Sequence, residues 1–345
     1  MNCRTLIAVA GLLATLPTAV QAQTTLFSDN LDSTSGTAYS VIFSNATANY
    51  GTATFGFDYS ALGIPSAPNS TGGTTRGLML QANKVETTPG SGTIGGVSVS
   101  PTTSPINAGL TNYAVRFDLW MNANGAFPGG GTGSTQHAGV SIGTTGTTHQ
   151  FPGTAAAPGN VDGVTFAASG EGGASGTSTT VRDYNAWVNA GAFLNNTGYA
   201  AAGTTPQDQA DPYYANFGNV APPGAQGGNQ TGNTLVGSQG FEWHTWTVTR
   251  EGNTVRWFIR DRNGTDVLIS TVDISAETLA GTNFTLGQYD FFSSVAPAGE
   301  QQFLFGLYDN VVVFTPVPEP TTVLGLAAAG LAGIGWVRRR RRASY

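Results

Sequence analysis

The side chains that most often carry acid–base or metal chemistry are few and scattered in this sequence. The 345 residues contain three histidines, His137, His149 and His244, and none has another histidine or a cysteine at a metal-binding spacing. The first two lie in stretches rich in glycine and threonine, and we predict a structural role for His244 in a strand. No Gly-x-Ser-x-Gly elbow or phosphate-binding loop is present. The sequence therefore predicts a protein that is not an enzyme.

The acidic residues do not form a recognisable catalytic pair. Sandwich-fold glycosidases place two carboxylates on one face of a strand, a few ångströms from the scissile bond. Here Glu242, Glu251 and Asp261 lie near predicted turns. The alternative to a non-enzymatic protein is a secreted carbohydrate-active hydrolase whose site the sequence does not reveal.

Two further groups of residues suggest ligands. Asp29 and Asp32 are expected just before the first strand and Asp309 inside the last, and terminal strands commonly pair in jelly rolls, so a structural calcium is one hypothesis. The alternative is that Asp29 makes turn hydrogen bonds and that Asp309 pairs with an arginine. No other cofactor is predicted. The second group consists of aromatic rings on predicted loops, which either stack on sugar faces or pack in the core: Tyr184, Trp187, Tyr213, Tyr214 and Phe217.

The N-terminus has the pattern of a secretory signal peptide over residues 1–22. Arg4 precedes an apolar run from Leu6 to Leu16, and small residues precede Gln23, where we expect signal peptidase to cut. An uncleaved anchor is less favoured because Pro17 interrupts the run, which is shorter than the roughly 20 residues that a membrane span needs. The single cysteine, Cys3, falls in the removed segment, so the mature chain has no disulfide.

The C-terminus, residues 316–345, has three parts in a fixed order. Pro318, Glu319 and Pro320 precede a predicted transmembrane helix at 321–337 and the arginine tail 338–342. The apolar run 323–337 spans about 22 Å as a helix, against a hydrocarbon core of about 30 Å. The tail, Arg338, Arg339, Arg340, Arg341 and Arg342, is attracted to the cytoplasmic leaflet and resists translocation.

This C-terminal arrangement resembles the PEP-CTERM sorting signal of bacteria. The resemblance implies that an exosortase cuts near Pro318–Pro320 after the arginines have stopped export. The protein would be anchored in the inner membrane before processing and would then reach the cell surface or the extracellular matrix. A plain tail anchor is the alternative.

The charge of the remaining chain excludes one class of partner. Six of the 14 basic residues are Arg4 and the tail arginines, and Glu319 is the one acid of 20 that the tail removes. The eight basic and 19 acidic residues that remain give a net charge near −11. Because nucleic-acid binding needs a dense basic surface, no nucleic-acid partner is expected.

The segments between the two ends predict an all-β fold. In Asn112–Asn122, apolar and polar residues alternate with a period of two, as in a strand with one face in the core. The segment 241–273 predicts a meander of three strands, with turns at 251–253 and at Asn263-Gly264. Ten or more short strands favour one β-sandwich or jelly-roll domain over residues 23–315, with long loops rich in glycine, serine and threonine.

Three stretches resemble concanavalin A-like and laminin-G-like sandwiches. They are "FEWHTWTVTREGNTVRWFIRDRNGTDV" at 241–267, "NVDGVTFAASG" at 160–170 and "FLFGLYDNVVVF" at 303–314. The resemblance implies a concanavalin A-like fold, and in the lectin-like pattern Asp162 would contact sugar; a turn role is the alternative. Together with the sorting signal, it predicts an exported sandwich that interacts with extracellular polysaccharide.

Overall fold

The computed structural model describes most of the chain between residues 23 and 316. The described residues are 23–44, 51–82, 95–131, 133, 135–152, 160–173, 181–189, 192–193, 206–223, 229–292, 294 and 296–316. Residues 25–315 form one compact unit. The predicted signal peptide and the residues after 316, including the predicted helix at 321–337, lie outside the described residues.

Fifteen strands form the described part of the fold, and the helices described there are single 3₁₀ turns. The strands are β1 (Thr24–Asp29), β2 (Tyr39–Phe43), β3 (Thr52–Asp58), β4 (Arg76–Gln81), β5 (Gly95–Pro101), β6 (Asn112–Asn122), β7 (Gln136–Thr144), β8 (Val164–Ser169), β9 (Tyr184–Val188), β10 (Ala192–Phe193), β11 (Trp243–Glu251), β12 (Thr254–Arg260), β13 (Asp266–Asp273), β14 (Asn283–Asp290) and β15 (Phe305–Thr315). Among the residues that the structure describes, no helix is long and apolar enough to cross a membrane.

The strands pair into two antiparallel sheets. Sheet A has the order β13-β12-β11-β6-β15-β4-β3, and β1 also pairs with β15. Sheet B has the order β10-β9-β8-β7-β14-β5-β2. The prediction of an all-β sandwich is confirmed.

The core lies between the sheets and follows the period-two pattern of the strands. In β6 the inward face carries Tyr113, Val115, Phe117, Leu119 and Met121, which are all buried in the central cluster. Burying each large apolar side chain contributes about 1.5–3 kcal/mol relative to leaving it exposed. The outward face of the same strand carries Arg116, Asp118 and Trp120, so this face must be covered or serve another purpose.

The predicted meander is confirmed as β11, β12 and β13. Trp246 pairs with Ile259 and Val248 with Trp257, so both pairs point into the core. The two predicted turns contain Gly252 and Gly264 with φ angles of 61° and 79°, which glycine adopts without steric cost.

Two segments that the sequence predicts as loops, one with Tyr184 and Trp187 and the other with His137, are strands instead. Tyr184 and Trp187 lie in β9, which is buried along its whole length and whose sequence shows no polar–apolar alternation. The sequence predicts that Asp29 lies just before the first strand. In the structure Asp29 is the last residue of β1, so the first strand begins earlier than predicted. His137 belongs to a stretch that the sequence predicts as a loop, but it lies in β7 and is fully buried.

A segment that we call the covering segment, residues 59–75, lies over part of the outward face of sheet A. Trp243 donates from its indole nitrogen to the carbonyl of Pro65 at 2.7 Å, and its ring lies 5.3 Å from that of Tyr59. Tyr59, Ile64 and Trp120 belong to a second apolar cluster. The covering segment therefore packs on sheet A through its own small core.

Candidate functional site

An open cavity of about 520 Å³ lies where β1, the covering segment, β6 and β15 meet. We call it the polar pocket because most of its lining side chains are hydrogen-bonding groups: Ser28, Asp29, Asn30, Asn69, Thr71, Arg116 and Asn310. Val311 and Val312 supply the apolar part of the wall. The mixture of planar amide, carboxylate and guanidinium groups suits a ligand with several hydroxyl groups.

A β-bulge in β15 places Asn310 in the pocket. Asp309 pairs with Asp118 and Val312 with Arg116, so one extra residue is inserted between these two pairs. Asn310 has a φ of 52°, a left-handed conformation that asparagine tolerates better than most residues. Bulges of this kind re-aim a side chain, and this one adds an amide to the outward face of sheet A.

Asp118 holds the two asparagines of the pocket. Its buried carboxylate accepts hydrogen bonds from the backbone nitrogen of Asn69 at 3.0 Å and from its Nδ2 at 2.7 Å. It also accepts from Nδ2 of Asn310 at 3.0 Å and from the hydroxyl of Thr245 at 2.8 Å. Because Asp118 attracts the NH₂ groups, the Oδ1 atoms of Asn69 and Asn310 are left to accept hydrogen bonds from a ligand. In the part of the chain that the structure describes, nothing donates to either atom.

Asp309 faces Asp118 across β6 and β15 and is also buried. Its carboxyl accepts from the hydroxyls of Tyr59 at 3.0 Å and Ser70 at 3.2 Å, and from the backbone of Asn310 at 2.7 Å. Burial raises the pKa of Asp309 to about 7; the hydrogen bonds oppose this shift, and the negative charge of Asp118 adds to it. These partners are neutral, so the expected pairing of Asp309 with an arginine is not what the structure shows.

Arg116 supplies the positive charge of the pocket. Its guanidinium lies 5.7 Å from the centre of the Phe314 ring, a cation–π distance. Among the described residues, no carboxylate lies within ion-pair distance of Arg116, whereas Arg256 pairs with Glu251 and Arg260 with Asp266. The sequence indicates only an outward strand position for Arg116, because its place beside a cavity depends on the covering segment.

The residues predicted to bind calcium do not converge. The Asp29 carboxylate accepts from the backbone of Leu31 at 2.8 Å and from the hydroxyl of Tyr39 at 2.8 Å, and Asp32 accepts from Asn30 at 2.6 Å. The pairing of β1 with β15 does bring Asp29 and Asn310 to one pocket, but Asp309 is enclosed beneath it. Within the described ranges, no group of three or more histidine, cysteine, aspartate or glutamate side chains is arranged to hold a metal.

Most of the predicted sugar-binding residues lie elsewhere. Asp162 accepts from the backbone of Thr145 at 3.2 Å and from Gln150 at 2.7 Å, so it holds the loop after β7. Tyr184, Trp187 and Tyr214 are each at most 1% exposed, so no sugar can stack on these rings in this fold. Phe217 is buried as well. Tyr213 is 44% exposed and stays a predicted stacking residue, outside the polar pocket.

The histidines have structural surroundings. Burial lowers the pKa of His137 to about 4, and its Nε2 contacts the carbonyl of Arg182 at 2.9 Å. Burial likewise lowers the pKa of His244 to about 4, and its ring packs edge-on against Phe217. His149 is partly buried, and burial lowers its pKa as well. None of the three lines the polar pocket.

The C-terminal segment matches a known sorting signal. Residues 316–341 match the family model described as the PEP-CTERM protein-sorting motif. The match includes the predicted motif Pro318, Glu319 and Pro320 and the first four arginines of the tail. The chain therefore carries a PEP-CTERM sorting motif, as predicted; Arg342 lies beyond the match, and all these side chains lie outside the described residues. No curated protein matches the chain.

Several solved structures are similar to the sandwich. A protein of unknown function with a galectin-like fold from Bacillus subtilis is 10% identical, with a TM-score of 0.41, over 86% of this chain and 100% of that one. The calcium-bound exoplasmic/lumenal domain of VIP36 is 8% identical, with a TM-score of 0.41, over 86% and 93%. Winged bean acidic lectin in complex with methyl-α-D-galactose is 8% identical, with a TM-score of 0.37, over 85% and 99%.

Proposed function

We propose that this protein is an exported bacterial surface or matrix protein that binds extracellular polysaccharide through the polar pocket. Signal peptidase would remove residues 1–22, the sorting motif would hold the chain in the inner membrane, and an exosortase would cut near Pro318–Pro320. The sandwich would then be released to, or attached at, the cell surface. The sorting motif at residues 316–341 supports the export route.

The observation that carries the binding proposal is the way in which Asp118 fixes the amides of Asn69 and Asn310. Two oriented carbonyl oxygens, the Asp29 carboxylate and the hydroxyls of Ser28 and Thr71 can accept from or donate to neighbouring sugar hydroxyls. Fixing these groups in advance reduces the side-chain entropy lost on binding.

The test is affinity electrophoresis of the full chain, purified in detergent, through gels that contain neutral or acidic polysaccharides. We expect at least one polymer to retard the wild-type protein and the double variant Asn69→Ala, Asn310→Ala to bind it about tenfold more weakly or worse. The control is Asn263→Ala, which removes an exposed amide from the turn between β12 and β13. If no polymer retards the wild type, or if both variants bind like the wild type, the proposal is wrong.

The alternative function, a carbohydrate-active hydrolase, has one feature in its favour. Asp118 and Asp309 are opposed carboxylates, and the raised pKa of Asp309 is typical of a general acid. Both are buried, however, and their hydrogen bonds go to neighbouring residues. Release of reducing ends from a bound polysaccharide, lost in Asp309→Asn, would favour the hydrolase; binding without release favours the proposed function.

A further inference from the structure

We infer that the polar pocket recognises an acidic sugar residue and that Arg116 binds its carboxylate. This inference rests on the proposed polysaccharide-binding function and names the class of polysaccharide. Its starting point is the position of Arg116, a cation at the wall of a pocket whose other polar groups are neutral or negative.

The guanidinium of Arg116 is held in place without being neutralised. Phe314 contacts it through a ring face, which favours the cation but provides no carboxylate. No ion pair to Arg116 is found within the part of the chain that the structure describes, although the outward arginines Arg256 and Arg260 both have one. The planar donors of arginine match a carboxylate in two parallel hydrogen bonds.

The remaining groups of the pocket fit the hydroxyls of the same sugar. The Oδ1 atoms of Asn69 and Asn310 and the carboxylate of Asp29 are acceptors, and sugar hydroxyls are donors. Asp29 is itself an anion, but it already accepts from Leu31 and Tyr39, so it is expected to face the hydroxyl side of the ligand. A neutral sugar would leave the charge of Arg116 unpaired, whereas a uronic acid pairs it.

The negative charge of the whole protein does not exclude an acidic ligand. At an ionic strength of about 0.15 M, charges farther apart than about 8 Å are largely screened. The charges at the pocket therefore decide the preference. Arg116 and Asp29 line the pocket, whereas the nearby carboxylate of Asp118 is buried and already accepts four hydrogen bonds from neighbouring residues.

The test compares acidic polysaccharides with their methyl esters, which keep the same backbone and lose only the charge. Polygalacturonate, alginate and hyaluronate, each with its methyl ester, are titrated into the full chain in detergent at about 150 mM salt, where distant charges are screened. We expect at least one of the three acidic polymers to bind about tenfold more tightly than its ester. Arg116→Gln should remove this difference by weakening only the acidic form, and Arg116→Lys should keep part of it.

Arg256→Gln is the matched control, because it removes an outward arginine of sheet A that does not line the pocket. Melting curves of each variant show whether it is folded. Equal binding of every acid and its ester, or an unchanged preference in folded Arg116→Gln, would overturn the inference while leaving the polysaccharide-binding proposal intact. A loss of acid and ester binding to the same extent would make Arg116 a structural residue and would also overturn it. Absence of binding to any polymer, neutral ones included, would instead overturn the proposed function itself.

Discussion

Asp118 and Asp309 show how two facing carboxylates acquire different properties from their neighbours. Asp118 accepts four hydrogen bonds, two of them from Asn69, and so fixes the pocket. Asp309 accepts three, and burial raises its pKa to about 7. An aspartate in the unfolded chain has a pKa near 3.8. Between about pH 4 and pH 7, therefore, the folded protein keeps a proton on Asp309 that the unfolded chain has lost.

This difference predicts how Asp309→Asn changes the pH dependence of stability. In the wild type, the contribution of Asp309 to the free energy of unfolding falls as pH rises from about 4 to 7 and is constant above 7. Asparagine stays neutral, so the variant lacks this fall. The stability of the variant relative to the wild type should increase over that window by at most about 4 kcal/mol, because a tenfold difference in proton affinity corresponds to about 1.4 kcal/mol.

Urea unfolding of both proteins at three pH values, one near each end of the window and one within it, measures the effect. His137 and His244 contribute a trend of the opposite sign, because their lowered pKa values make the folded state resist protonation between about pH 6.5 and 4. Both proteins share that trend, so it cancels in the difference between them. A difference that is the same at all three pH values would contradict the prediction.

Among the structural elements, strands whose sequence alternates between polar and apolar residues were predictable, even where both faces are largely buried as in β6, and strands without that alternation were not. The bounds of β6 follow from its alternation, and the meander of β11 to β13 follows from its two glycine turns. β9 has no polar face, so its sequence does not distinguish a buried strand from an aromatic loop. The bulge at Asn310 is also invisible in the sequence, because it is an irregularity of pairing between β15 and β6.

Tyr308 links the two sheets and gives a prediction for the sandwich. It lies in β15 of sheet A, and its hydroxyl crosses the core to sheet B. There its single hydrogen is shared between the carbonyls of Gly287 at 2.6 Å and Gly139 at 3.0 Å, and its oxygen accepts from the backbone nitrogen of Gly139 at 3.0 Å. Tyr308→Phe leaves these buried groups without the hydroxyl, and we expect a loss of about 1–3 kcal/mol in the free energy of unfolding.

Tyr213→Phe is the control for this measurement. The hydroxyl of Tyr213 also donates to a backbone carbonyl, that of Leu268 at 2.7 Å, but the side chain is 44% exposed and water can replace the bond. Its removal should cost less than about 0.5 kcal/mol. Chemical denaturation compares the two variants, and equal losses would contradict the prediction that the buried hydroxyl of Tyr308 contributes more than the exposed hydroxyl of Tyr213.

At the scale of the whole molecule, the polar pocket required the tertiary structure, whereas the sorting signal did not. Asn69 and Asn310 are far apart in the chain: the bulge in β15 brings Asn310 to Asp118, and the docking of the covering segment on sheet A brings Asn69. Strand pairing predicts from the sequence that Asp29 lies near Asp309, but nothing in the sequence singles out Asn69, Asp118 or Arg116. The sorting signal is a linear arrangement of three parts, so its composition and order are sufficient to identify it.

The same linear arrangement predicts how the chain stops in the membrane. As a helix, the apolar run 323–337 would be about 22 Å long, which is shorter than the hydrocarbon core of about 30 Å, so we expect the predicted helix alone to hold the chain weakly. We expect the five arginines to supply the rest, since each basic residue near an anionic leaflet contributes about 1 kcal/mol and opposes transfer across the membrane. Replacing residues 338–342 by serine should therefore let much of the chain escape the arrest, and cleavage near Pro318–Pro320 should decrease.

Replacing the same five arginines by lysine distinguishes the effect of positive charge from the effect of the guanidinium group. Lysine keeps the positive charge on the cytoplasmic side, so retention and cleavage should stay close to those of the wild type if electrostatics sets the arrest. Membrane fractionation and the intact mass of the processed protein, in a bacterium that has an exosortase, measure both variants. If the serine variant is retained and cut like the wild type, charge does not stop the chain. If the lysine variant fails as the serine variant does, the arginines act by specific recognition, since lysine preserves the charge but not the guanidinium.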